Sequence, residues 1–189
     1  MLSVRFNEVF FTAATTPADC VVGQVDNGWA VTTTLLGLER GEEAATNPIL
    51  FRAELDRLVA MARERGRGDD PVVRDRLADA YGRCEIMRFL GLRILTGVLT
   101  TGALGPEASV STLYWSEYHQ LVTQLALDVL GRGPLRAYRT DDPGAANSSG
   151  SWIGAAYNAV AGTIYAGTSE VQRNILGESV LGLPQEPRV

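Results

Sequence analysis

The stretch richest in chemically useful residue types lies near the end of this 189-residue chain, Thr163-Ile164-Tyr165-Ala166-Gly167-Thr168-Ser169-Glu170-Val171-Gln172-Arg173-Asn174-Ile175. Gly167 permits a turn that other residues resist. Thr168 is suited to cap a helix by accepting from the amides of its first turn. Glu170 then falls in that first turn, where the helix dipole favours a carboxylate. Ile175, Leu176, Val180 and Leu183 supply an apolar face beyond it. The spare amides of such a helix start can hold a phosphate or another polar ligand group. The plainer alternative is an ordinary capped C-terminal helix. A second phrase, Leu38-Glu39-Arg40-Gly41, sets a carboxylate beside Glu42 and Glu43. By itself it reads as a solvated helix surface. His119 is the only histidine, so any Ser-His-Asp chemistry would pass through it. Cys20 and Cys84 stand far apart in no metal-like spacing, which argues against a zinc site or a disulfide framework.

Hydrophobic residues make up 46% of the chain and charged residues 21%, the balance of a soluble globular protein. The net charge of −5 argues against nucleic acid as the main partner, because phosphate binding needs a basic surface. No uninterrupted apolar run is long enough to span a bilayer. The N-terminus lacks the sustained apolar core of a signal peptide. Reduced cysteines and no leader make a cytoplasmic location the expectation.

Two regions must position these residues. Val4 to Phe10 and Thr15 to Val22 are rich in β-branched and aromatic types and predict short strands, closed by Asp26-Asn27-Gly28. Two or three strands make no stable sheet alone. From Gly28 onward the pattern is helical. One helix is expected from Trp29 to about Arg65, broken near Asn47-Pro48. A long helix is expected from about Val72 to Leu99, with Leu77, Tyr81, Cys84, Arg88, Gly91, Leu95 and Val98 recurring at helical period. Another runs from about Ala108 to Leu130, with Tyr118, Val122, Leu125 and Val129 as one buried stripe. Residues 140–151 predict a loop, followed by a short helix near Trp152–Ala161 and the final helix from Thr168. The fold class is therefore mainly α: an up-and-down four-helix bundle over 28–189, preceded by a few short β-strands over 1–27.

The run Tyr-x-Gly-Thr-Ser-Glu-x-Gln-Arg-Asn-Ile resembles the final motif of the acyl-CoA dehydrogenases, flavoenzymes that desaturate acyl thioesters. Asn-Glu-Val-Phe-Phe, Thr-Pro-Ala-Asp-Cys-Val-Val-Gly and Asn-Gly-Trp resemble that family's passage from its central β-domain into its C-terminal helical domain. The resemblance covers nearly the whole chain, yet only the C-terminal part of the family's architecture. It implies FAD as cofactor, an acyl-CoA substrate, an electron-transferring flavoprotein as acceptor, and a homo- or hetero-oligomer built on the helical bundle. Flavin binding is then expected to need a partner chain.

The family's reaction removes an α-proton while hydride leaves the β-carbon for flavin. A carboxylate in a dry pocket suits that task, since desolvation raises its pKa. Many members place a glutamate where this chain has Ala166. Others place the base on an earlier helix in a Leu-Glu-Arg phrase, which implies Glu39 here, with Arg40 shaping its surroundings and the substrate site. The Ala166 backbone amide keeps its role as a donor to the thioester oxygen, with Gly167 beside the substrate. Gly131 and Gly133 resemble the glycine turn that approaches the flavin across a subunit interface. Thr168, Ser169 and Glu170 match positions that face the flavin. An Arg-x-x-Phe-Gly phrase common in the family is absent; Arg52 and Arg74 are unassigned substitutes. The alternative function is a non-catalytic helical oligomerisation or scaffold subunit of the same descent. In either case Phe6, Phe10 and Phe11 are expected to lack a partner sheet.

Overall fold

The computed structural model describes residues 8–106, 108–131 and 151–185, with the backbone alone at Glu39 and Arg40. Among the described residues five α-helices follow one another: α1 (Gly28–Glu64), α2 (Pro71–Thr101), α3 (Ala108–Leu130), α4 (Trp152–Gly162) and α5 (Ser169–Ile175). A single π turn, Leu176–Val180, extends α5. The long helices α1, α2 and α3 pack on one another, while α4 and α5 rest chiefly on α3. Among the described residues the expected four-helix bundle is seen as a three-helix core with two shorter helices laid on α3.

The termini follow local chemistry. Asp70 caps α2, its Oδ1 accepting from the amides of Val72 at 3.0 Å and Val73 at 3.3 Å. Pro71 fills the first helical position, where a missing N–H costs nothing. Gly102 stops α2 in the left-handed conformation at φ +74, three residues beyond the expected end near Leu99. Ser151 caps α4 through the Gly154 amide at 3.0 Å, and Thr168 caps α5 through the Val171 amide at 3.3 Å.

Three expectations are corrected. Among the described residues there is no strand: residues 8–27 hold one 3-10 turn at Ala18–Cys20. A lone strand has no neighbour to complete its hydrogen-bond ladder, and Phe10 and Phe11 lie exposed. Next, α1 runs unbroken through Pro48. Proline removes the bond that residue 48 would donate to Ala44, and the freed Ala44 carbonyl is pressed against α2. A Cβ placed on Gly91 would lie 2.2 Å from that oxygen, so the break is healed by a close helix crossing that only glycine allows. Finally, the inward side of α2 keeps Cys84 and Gly91 of the expected stripe but not all of it. Val73, Ala80, Cys84, Met87, Gly91 and Ile94 are buried, whereas Tyr81 and Leu95 are exposed. The stripe on α3 is as expected, with Tyr118, Val122, Leu125 and Val129 all buried in the core against Phe51, Leu55 and Leu58 of α1.

The loop at 140–151 lies outside the described residues apart from Ser151.

Candidate functional site

The turn between α4 and α5 brings five of the expected site residues together. Ala166 and Gly167 are both left-handed, at φ +57 and +97. A left-handed alanine is uncommon and costs free energy, so surrounding contacts must hold it. Gln172, buried on the first turns of α5, supplies one: its Nε2 donates to the Ala166 carbonyl at 3.0 Å. Among the described residues no acceptor takes the Ala166 N–H. Thr168, Ser169 and Glu170 follow at the cap and first turn. The Ser169 hydroxyl is buried without a partner among the described residues. The Glu170 carboxyl is exposed and held below its ordinary value by its own backbone amide, then by the Thr168 hydroxyl.

Thr168, Ser169 and Glu170 border an open cleft of about 530 Å³, whose other wall is Glu117 and Gln120 of α3. Gln120 donates to Thr163 at 3.1 Å and ties α3 to the end of α4. Arg173 pairs with Glu117 across the cleft.

Glu39 and Arg40 lie in the N-terminal third of α1. One helical turn further on, Glu43 accepts from the Trp115 indole N–H at 3.1 Å. Trp115 in turn packs on Phe51, with ring centroids 6.0 Å apart, and on Tyr165, at 6.3 Å. Gly162 leaves room for it, since a Cβ there would sit 3.1 Å from the indole ring. Trp115 therefore joins the segment that carries Glu39 to the turn that carries Ala166. An apolar groove of about 380 Å³ opens beside the same segment, lined by Leu38 and Gly41 of α1, Ile94 and Val98 of α2, and Leu104.

Gly131 stands apart from this cluster. It ends α3 in the left-handed conformation at φ +67, fourteen residues beyond Glu117, or about 20 Å along the helix. Gly133 lies outside the described residues. Arg52 and Arg74 are engaged elsewhere: Arg52 pairs with Asp56 at 3.1 Å and Glu85 at 3.5 Å, and Arg74 meets Asp69 at 3.8 Å. The sole histidine is structural. His119 is buried with Nε2 3.3 Å from the fully buried Glu54 carboxylate, and its ring lies against Phe51. Among the described residues no cluster of histidine, cysteine or carboxylate could hold a metal ion.

The family model for the acyl-CoA dehydrogenase C-terminal domain matches residues 26–181. The chain belongs to the acyl-CoA dehydrogenase family. It is 36% identical over 189 residues to the acyl-CoA dehydrogenase IpdE1 of Mycobacterium tuberculosis, covering 98% of this chain and 46% of that protein. The IpdE1 of Mycolicibacterium smegmatis is 37% identical over 182 residues, with 96% and 43% covered. Among solved structures, the Tcur3481-Tcur3483 steroid ACAD superposes with a TM-score of 0.77 at 29% identity, over 94% of this chain and 45% of that one. The ChsE4-ChsE5 complex from Mycobacterium tuberculosis gives 0.67 at 25% identity, over 87% and 42%. The chain thus spans less than half the length of these acyl-CoA dehydrogenases.

Glu43 and Gln172 were not singled out from the sequence. A carboxylate one turn after Glu39 was visible, but its partner Trp115 is 72 residues away. Gln172 lay inside the motif, with nothing local to show that its side chain folds back over its own helix start.

Proposed function

We propose that this chain is the C-terminal half of an FAD-dependent acyl-CoA dehydrogenase that desaturates an acyl thioester, working with a partner chain that completes the site. The observation that carries this reading is the left-handed Ala166–Gly167 turn, whose Ala166 N–H has no acceptor among the described residues. Negative charge develops on the thioester oxygen as the α-proton leaves, and a fixed donor stabilises it. Glu39 takes that proton. Arg40 and Gly167 shape the substrate site, and the hydrocarbon part of the acyl group fills the apolar groove beside Leu38 and Gly41. The steroid ACAD likeness supports a bulky acyl group.

Bound FAD supplies the acceptor for the β-hydride. The Ser169 hydroxyl, without a partner among the described residues and bordering a polar cleft, fits a polar edge of the flavin. Thr168 and Glu170 belong to the same contact. The distance along α3 from that cleft to Gly131 supports a contact by Gly131 and Gly133 with the flavin of another subunit. The relatives solved as two-component assemblies support a hetero-oligomer. An electron-transferring flavoprotein would take the electrons, in the cytoplasm.

The test is flavin retention. The chain is purified alone and with a co-expressed partner, desalted, and its flavin absorbance recorded before and after acyl-CoA. The expected result is flavin held by the complex and bleached by acyl-CoA. Replacing a general base costs about 10²–10⁴-fold, so Glu39→Gln should slow bleaching by at least about 100-fold. A second reading, a non-catalytic scaffold, is favoured by the apolar outer face of α2, where Ile86, Phe89, Leu92 and Leu99 are exposed. A stable complex that never holds flavin would establish that reading instead.

A further inference from the structure

We propose that Gln172 is a positioning residue for the thioester carbonyl: its buried side-chain amide clamps the Ala166–Gly167 turn and so aims the Ala166 N–H. The proposal rests on the function proposed above.

Gln172 is almost wholly buried, at 1% exposure. Its backbone amide is bound to the Thr168 carbonyl at 2.9 Å, which fixes it in the first turns of α5. From there the side chain turns back toward the helix start. Nε2 lies 3.0 Å from the Ala166 oxygen and 3.5 Å from the Gly167 oxygen. The orientation of the amide follows from these partners, because the reversed amide would set oxygen against two carbonyl oxygens. The Oε1 atom has no partner among the described residues. The side chain is thus held by what it donates.

The clamped peptide is the one that needs holding. Ala166 sits at φ +57, outside the preferred region for a residue with a Cβ. If it relaxed to a right-handed conformation, the peptides on its two sides would rotate relative to each other, so that either the carbonyl would leave Nε2 or the Ala166 N–H would turn. Gly167 is fitted to the same clamp: a Cβ there would lie 2.7 Å from Nε2. Burial also matters, since a hydrogen bond shielded from water holds its geometry against competition.

A residue acting through another should affect the charge-developing step more than ground-state binding. The test uses the flavin-containing complex and an acyl-CoA carrying carbon-13 at the thioester carbonyl. Infrared difference spectra report how strongly that carbonyl is polarised when bound. Wild type is expected to shift the carbonyl to lower frequency. Losing a whole oxyanion donor costs about 10²–10³ in kcat, so misaiming one by Gln172→Met should cost about 10–100-fold, with KM little changed and the carbonyl shift reduced. Gln172→Leu, which likewise has no side-chain group to donate, should do the same. Adding Ala166→Gly to Gln172→Met should restore part of the shift, since glycine takes positive φ without strain. A wild-type carbonyl shift and kcat in Gln172→Met would overturn the proposal and leave the thioester reading intact. No carbonyl shift in the wild-type complex would overturn both. If neither Gln172 variant assembles, the wild-type chain still decides: nuclear magnetic resonance couplings across the hydrogen bond from the Gln172 amide to the Ala166 carbonyl are expected, and their absence overturns the clamp.

Discussion

The Glu54–His119 pair shows how much an isolated side chain costs in this core. Both are buried, 3.3 Å apart, against Phe51. Burying two polar groups offsets much of their attraction, but removing one strands the other. His119→Leu should therefore destabilise the chain by about 3 kcal/mol in urea unfolding, whereas Glu54→Leu with His119→Leu should recover most of that loss. Tyr118 lies beside this pair in the core, its hydroxyl pushed far above the usual phenol range, chiefly by burial. Asp70 behaves oppositely. The Arg67 guanidinium, at 2.8 Å, and the Val73 and Val72 amides hold its carboxyl below its ordinary value of 3.8. A depressed pKa stabilises the fold at pH above the unfolded value and is lost as pH falls through the folded one. Asp70→Asn should thus lower the thermal midpoint at pH 7, and the gap from wild type should close as the pH drops below 3.8.

Between elements, the crossing of α1 and α2 turns on one missing side chain. Pro48 frees the Ala44 carbonyl, and Gly91 lets α2 approach it. Cys84, one heptad earlier on α2, sits with its sulfur 3.9 Å from the Pro48 oxygen. The Cβ of Gly91→Ala would meet backbone, which cannot swing aside like a flexible side chain. The helices must part along the seam, and overpacking of this kind costs about 1–3 kcal/mol. Chemical unfolding of Gly91→Ala should show a loss in that range. Gly82, on the same helix, has no atom within 4 Å of a Cβ, so Gly82→Ala should be neutral or stabilising, as expected for a helix interior.

For the whole molecule the governing fact is uncovered apolar surface. Phe89, Leu92 and Leu99 project from the outer side of α2, and Phe10, Phe11 and Trp29 from the segment before and into α1. Patches of this kind mark interfaces or aggregation sites. Light scattering at micromolar concentration should find the chain associated. Phe89→Glu with Leu92→Glu should reduce that association while leaving the helical circular dichroism unchanged, because both side chains lie outside the core. A monodisperse wild-type monomer would remove the α2 face from consideration.

Local sequence determined the helices and their ends. The period of Tyr118, Val122, Leu125 and Val129, the Asp70-Pro71 start and the Thr168 cap act over one or two turns, so they are legible without a partner element. The motif from Tyr165 to Ile175 likewise determined the family. Tertiary structure alone decided what depends on distant groups. The strand-like composition before Gly28 formed no strand among the described residues, since a ladder needs a neighbour. Pro48 stayed inside a helix because Gly91, forty-three residues away, leaves room for the Ala44 carbonyl that the proline frees. On α2 the expected Cys84 and Gly91 are buried while Tyr81 and Leu95 are exposed, a division that depends on the neighbouring helices. The link from Glu43 through Trp115 to Tyr165, and the return of Gln172 to Ala166, exist only where the packed helices bring those atoms within reach.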